Sequence, residues 1–70
     1  MKKKIKIKLN GKIKTIEKNL TLFSIIKESK VSLKKVAIEL NQEIVDKKKL
    51  KLINLKKNDK IEIVHFIGGG

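Results

Sequence analysis

The stretch Lys4-Ile5-Lys6-Ile7-Lys8-Leu9-Asn10-Gly11-Lys12-Ile13-Lys14-Thr15-Ile16-Glu17 decides the fold. Lys and apolar residues alternate strictly from Lys4 to Leu9, and a period of two puts Ile5, Ile7 and Leu9 on one face of a strand with the lysines on the other. Asn10-Gly11 follows at once. That pair tolerates the two positive φ angles of a type I′ turn, so Lys12 to Glu17 reads as the returning strand. A two-residue loop fixes the register: Ile5 faces Ile16 on the core side, and Ile13 falls beside Lys8 on the outer side. A bulge near Thr15 would instead turn Ile13 inward.

The apolar face of a hairpin needs a cover, and the next segment supplies one. Thr21 suits an N-cap, Leu22, Ile25, Ile26 and Ser29 follow at i, i+3, i+4 and i+7, and Leu20 stands where it can staple onto Ile25. The spacing predicts an amphipathic helix from Leu22 to about Lys30, too short to persist alone. Val36, Ile38 and Leu40 then alternate with Ala37 and Glu39 in a third strand, ended by Asn41-Gln42, and Glu43 to Val45 is placed to fold back on it. Lys47 to Leu55 reads as a loop or short helical turn that tucks one or two Leu into the core. Asn58-Asp59 marks a turn. Lys60 to Ile67 is the last strand, with Ile61 and Ile63 on one face and Glu62, Val64 and Phe66 on the other. The expected core is Ile5, Ile7, Leu9, Ile16, Ile25, Val36, Ile38, Ile61 and Ile63.

These elements fill a chain of 70 residues, room for one small domain and too little for a large enzyme with a deep cleft. No unbroken apolar run is long enough to span a membrane. The chain has no Cys, which removes disulfides, thiolate nucleophiles and Cys-based zinc sites. Met1-Lys2-Lys3-Lys4 leads into alternating charge and not into an apolar h-region, so no targeting segment is expected and the chain reads as cytoplasmic. A net charge of +12 first suggests a nucleic-acid binder. The quality of the charge argues otherwise: every basic residue is Lys, none is Arg, and two Phe without Tyr or Trp give no stacking platform. A lysine-rich surface from A/T-rich coding explains the composition, and no specific nucleic-acid partner is expected.

The catalytic inventory empties quickly. One His and scattered carboxylates build no triad, metal site or paired-acid site, so no catalytic residue and no metal ligand is assigned. Ser24, Ser29 and Ser32 have no base placed near them. His65, on the last strand, is expected to be a half-buried filler or hydrogen-bonding residue. Glu39, Glu43 and Asp46 read as solvated charges. Enzyme activity in this chain alone is not expected.

What remains is the segment Phe66-Ile67-Gly68-Gly69-Gly70, which holds every Gly except Gly11. Consecutive glycines cost entropy and hold no structure, so they stabilise nothing. Their physical virtue is slimness and reach. A peptide without Cβ can thread a narrow channel and present its carboxylate to chemistry that side chains would block. That carboxylate is ionised at neutral pH and a poor electrophile. A mixed anhydride with AMP gives it a good leaving group, after which a sulfur or nitrogen nucleophile can take the acyl carbon.

The order strand, Asn10-Gly11 turn, strand, Thr21-capped helix, strand and closing strand into Gly-Gly resembles the ubiquitin-like β-grasp family. More narrowly, Val36-Ala37-Ile38-Glu39-Leu40-Asn41, Glu43-Ile44-Val45 and Ile63-Val64-His65-Phe66-Ile67-Gly68-Gly69-Gly70 resemble the ThiS-like sulfur carrier proteins of thiamin biosynthesis. The likeness covers nearly the whole chain. It departs where Asn41-Gln42 replaces a frequent Asn-Gly and Asp46 a frequent Pro. The resemblance implies an α+β fold, a mixed four- or five-stranded sheet packed on one main helix with first and last strands parallel neighbours. It implies a β-grasp domain over 1–67 and a flexible C-terminal glycine tail over 68–70.

For function, the resemblance implies a protein co-substrate that binds no cofactor of its own. An E1-like adenylyltransferase would use ATP to adenylate Gly70, a sulfurtransferase/cysteine desulfurase system would supply persulfide sulfur, and the thiocarboxylate would feed thiazole synthase. Gly68 and Gly69 would thread the partner's channel. Val64, Phe66 and Ile13, apolar and on the face away from the helix, are the expected docking residues, together with Ile67 beside the tail. A small subunit of the molybdopterin-synthase type shares fold and tail but usually carries a Pro-containing segment before Gly-Gly, and this chain has no Pro. A ubiquitin-like protein modifier would hand the same activated carboxylate to a lysine, and a basic nucleic-acid module is the reading from another class.

Overall fold

The structure is a computed structural model, and it describes residues 3–66. Among them, five strands form one mixed sheet in the order β2-β1-β5-β3-β4. They are β1 (Lys4–Leu9), β2 (Lys12–Glu17), β3 (Val36–Leu40), β4 (Glu43–Ile44) and β5 (Lys60–His65). Helix α1 (Leu22–Glu28) covers one face, and two 3₁₀ helices, Leu33–Lys35 and Lys47–Leu52, fill the connections. β1 and β5 run parallel and adjacent, whereas β1–β2, β3–β4 and β3–β5 are antiparallel.

The hairpin register follows from its turn. Asn10 and Gly11 adopt φ of 51° and 82°, Ile5 stands opposite Ile16, and Ile13 stands opposite Lys8 with no bulge. Ile13 is accordingly exposed. The second hairpin turns the same way, with Asn41 and Gln42 at φ of 52° and 72°. Gln42 carries the strain that a glycine would avoid at that position.

Thr21 caps α1 by accepting from the Ser24 N–H at 3.2 Å. The helix ends at Glu28, earlier than its spacing predicts. Ser29 turns its hydroxyl back onto the Ile25 carbonyl at 2.9 Å, and Lys30 adopts a left-handed φ of 58°, which terminates a helix as a C′ glycine would.

The core is Ile7, Ile16, Leu22, Ile25, Ile26, Val36, Ile38, Leu50, Leu55, Ile61 and Ile63. Ile5 and Leu9, expected inside, are only partly buried because they lie at the two ends of β1. The irregular segment does tuck in two leucines, Leu50 and Leu55, while Leu52 is left in solvent. Among the described residues no buried side-chain polar atom lacks a partner, and no helix is long and apolar enough to cross a membrane.

The two turn asparagines do more than turn. β1 ends beside Ile61, yet the Asn10 side chain reaches on and accepts the Ile63 N–H at 2.8 Å. Asn41 accepts the Lys60 N–H at 2.9 Å on the other flank. Asn10→Gly keeps the turn but orphans the half-buried Ile63 N–H, with an expected loss of about 1–3 kcal/mol by urea titration. Asn10→Asp, which retains the acceptor, should recover most of that loss.

Candidate functional site

β5 lies between β1 and β3 and carries the chain out of the sheet. Its ladder with β3 pairs Leu40 with Ile61, Ile38 with Ile63, Ala37 with Val64 and Val36 with His65. Strand pairing stops at His65, two residues before the predicted end. Phe66 is still held, because its N–H donates to the Lys35 carbonyl at 3.0 Å. The Lys47 ammonium sits 5.6 Å from the centroid of the Phe66 ring and also donates to the Leu33 carbonyl. A backbone bond and a cation thus hold Phe66 against the segment 33–35 and Lys47.

Val64 and Phe66 meet the expectation of outward-facing apolar residues, at 43% and 54% exposure. Ile67, Gly68, Gly69 and Gly70 lie outside the described residues. Ile13 shares the outer face but not the neighbourhood. It is level with Lys8, which pairs with Lys60, so β1 separates it from β5 and Val64 is four residues, about 13 Å, further along.

His65 departs from its expected role. It is exposed and no side-chain hydrogen bond of the described residues uses it, since it closes the β3 ladder beyond the last residue that β1 pairs with. The sequence reading also missed Ile44, the most exposed apolar residue of the outer face at 76%. Ile44 stands opposite Glu39, which stands opposite Glu62. Two carboxylates side by side in a strongly basic chain repel each other, and a partner's cation would relieve that. The signal was available in the sequence: folding Glu43-Ile44 back on β3 puts Ile44 and Glu39 on one face.

The described residues contain no group of three or more His, Cys, Asp or Glu side chains that could hold a metal ion. What the arrangement offers is a packed domain, a Phe66 anchored through its backbone on Lys35, and apolar residues on the outer face beside it, Val64 and its cross-strand neighbour Ala37.

Residues 7–70 match the model of the ThiS family. The chain is 38% identical over 66 residues to a thiazole synthase of Paramagnetospirillum magneticum, covering 94% of this chain but 20% of that protein. It therefore spans about a fifth of the length of the thiazole synthases it matches. It is 37% identical over 65 residues to the sulfur carrier protein ThiS of Bacillus subtilis, covering 91% of this chain and 98% of that one. The crystal structure of the thiamine biosynthesis protein ThiS from Geobacter metallireducens superposes with a TM-score of 0.80 at 28% identity, over 94% of this chain and 100% of that chain. Its likeness extends to the mixed five-stranded sheet with one main helix, the ubiquitin-like β-grasp.

Proposed function

Since the chain belongs to the ThiS family, we propose that it is a sulfur carrier of thiamin biosynthesis, a protein co-substrate and not an enzyme. The observation that carries this reading is the match over 98% of a sulfur carrier protein of nearly the same length. The similarity to a stretch within thiazole synthases supports thiazole synthase as the acceptor's enzyme, because domains joined in one chain serve a common reaction. Residues 1–67 form the carrier domain and 68–70 its tail.

The chemistry assigned to the tail is a sequence of three substitutions, at phosphorus, at the acyl carbon and at sulfur. The Gly70 carboxylate attacks the α-phosphate of ATP on an E1-like adenylyltransferase, giving the acyl adenylate and pyrophosphate. A persulfide's terminal sulfur from a sulfurtransferase/cysteine desulfurase system then attacks the acyl carbon, and AMP leaves with the electrons of the broken C–O bond. Thiol cleavage of the resulting acyl disulfide frees the thiocarboxylate. ATP is consumed by the partner, and the carrier needs no cofactor of its own. Gly68 and Gly69 give the partner's channel no Cβ to exclude.

Docking falls to Val64 and Phe66 on the outer face, with Ile67 next to them in the chain at the root of the tail, and Ile13 makes a separate contact across β1. Phe66→Ala removes an aromatic anchor that contributes nothing to the core. It is expected to weaken binding to the adenylating enzyme and to thiazole synthase about tenfold or more by calorimetric titration, with the melting temperature unchanged. Unaltered affinity for both would take Phe66 off the docking surface.

The pathway assignment is tested by reconstitution. The thiocarboxylated protein should support thiazole phosphate formation with thiazole synthase, deoxyxylulose phosphate and a glycine-derived imine, and should fail to sulfurate the molybdopterin precursor. The Pro-free sequence Val64-His65-Phe66-Ile67 keeps every backbone N–H, some of which a Pro-containing segment would lack. Efficient dithiolene formation without thiazole would reverse the ranking of the two carriers.

A further inference from the structure

The end of the domain remote from Phe66 carries a groove of about 440 Å³, between the start of β1 with the residues after β2 and the segment 54–57. Lys3, Lys4, Lys18, Lys56 and Lys57 stand around it, and Ile5 and Leu55 form its floor. No acidic side chain lines it. Its backbone is also unusual. Lys3 turns its carbonyl toward β2, where it accepts from the Lys18 N–H, and the Lys6 carbonyl faces the other way to accept from Asn58. By alternation Lys4 presents its N–H and C=O to the groove. The β1–β5 pairing begins only at Lys8, and no backbone hydrogen bond of the described residues engages Lys4 on that side.

From this we propose that the groove binds an extended acidic segment of a partner protein, which pairs with the Lys4 main chain, places one aliphatic side chain on Ile5 and Leu55, and sets flanking carboxylates among the lysines. The inference goes beyond the carrier reading and does not rest on it. A peptide fits better than a nucleic acid because the groove offers a main-chain donor and acceptor spaced as in a strand, an aliphatic floor, no aromatic ring for a base and no guanidinium. The lysines around the groove attract any polyanion and are screened by salt, so the floor and the open strand edge supply the selectivity. The groove lies at the opposite end of the sheet from the exit of the chain after Phe66, so a protein bound there leaves that exit clear.

The probe is the peptide acetyl-Glu-Asp-Glu-Ile-Glu-Asp-Glu-amide, titrated into the ¹⁵N-labelled full chain at near-physiological salt. Amide shifts are expected to concentrate on Lys4, Ile5 and 54–57. The double variant Lys56→Glu/Lys57→Glu should weaken binding about tenfold or more, whereas Lys34→Glu/Lys35→Glu, with the same change in net charge, should stay within about twofold. Replacing the peptide's Ile by Gly, or methylating its amide nitrogen, should each cost about tenfold, the first through the floor and the second through the Lys4 pairing. Shifts spread over lysines on all faces, or equal losses from the two double variants, would overturn the proposal in favour of general polyanion attraction. Tighter binding of a thymidine oligonucleotide at the same residues would overturn the class of partner.

Discussion

Deleting Gly69 and Gly70 is expected to leave the melting temperature unchanged and to abolish formation of the acyl adenylate. The first half follows from where the fold's interactions lie. Among the described residues, 3–66, the core is complete and the sheet is closed by hydrogen bonds, of which the Phe66 N–H on Lys35 lies furthest along the chain. The second half follows from reach. Two extended residues span about 7 Å, so the carboxylate of the shortened chain stops that far from the ATP α-phosphate. A misplacement of about 1 Å at a reacting centre can already cost around a hundredfold. Pyrophosphate release that survives the deletion would remove the tail from the chemistry. A large fall in melting temperature would make the glycines structural.

Ile38→Ala carries the largest expected effect on stability. Ile38 is fully buried on β3, opposite Ile63 of the central strand and within the core that α1 covers. Truncating such a side chain costs about 2–5 kcal/mol, as transfer free energy plus the cavity left behind. A domain of this length has roughly 4–10 kcal/mol in total. The variant should therefore melt at least about 10 °C lower, and at the upper end of the range it should be largely unfolded at 37 °C. Phe66→Ala serves as the contrast, an aromatic lost from the surface without such a fall. A change of only a degree or two in the Ile38 variant would contradict the assigned inward face of β3.

These two residues also show why much of the fold was legible. Period-two strands bury alternate residues whatever their neighbours, so Ile7, Ile16, Val36, Ile38, Ile61 and Ile63 could be placed from the pattern. Asn10-Gly11 set the hairpin register because both residues accept positive φ. The segment between β4 and β5 has no period, so the choice of Leu50 and Leu55 for the core, with Leu52 outside, rests on tertiary packing. The early end of α1 depends on Lys30 adopting a left-handed φ, which Lys rarely does and no pattern announces.

Long-range contacts were the least legible. The Asn10 bond to Ile63 spans 53 positions, and nothing local distinguishes an asparagine that only turns from one that also clamps a distant strand. The Lys47 contact with Phe66 is of the same kind. His65 was expected half-buried from its place on the last strand, whereas β5 runs past the end of β1 and leaves it in solvent. Of the site itself, Val64, Phe66 and Ile13 were correctly placed outward, Ile44 was overlooked, and the wide separation of Ile13 from Val64 appears only once β1 is seen to lie between β2 and β5.

The central claim is that the Gly70 carboxylate accepts sulfur. It is tested most directly by the intact mass of the protein after incubation with an E1-like adenylyltransferase, ATP and a persulfide source, followed by a thiol. The account predicts a gain equal to the exchange of one oxygen for sulfur, dependent on ATP and located by fragmentation at Gly70. An unchanged mass under conditions where the adenylating enzyme is active, or a shift to an adduct in which Gly70 is joined to a lysine of another protein, would contradict it.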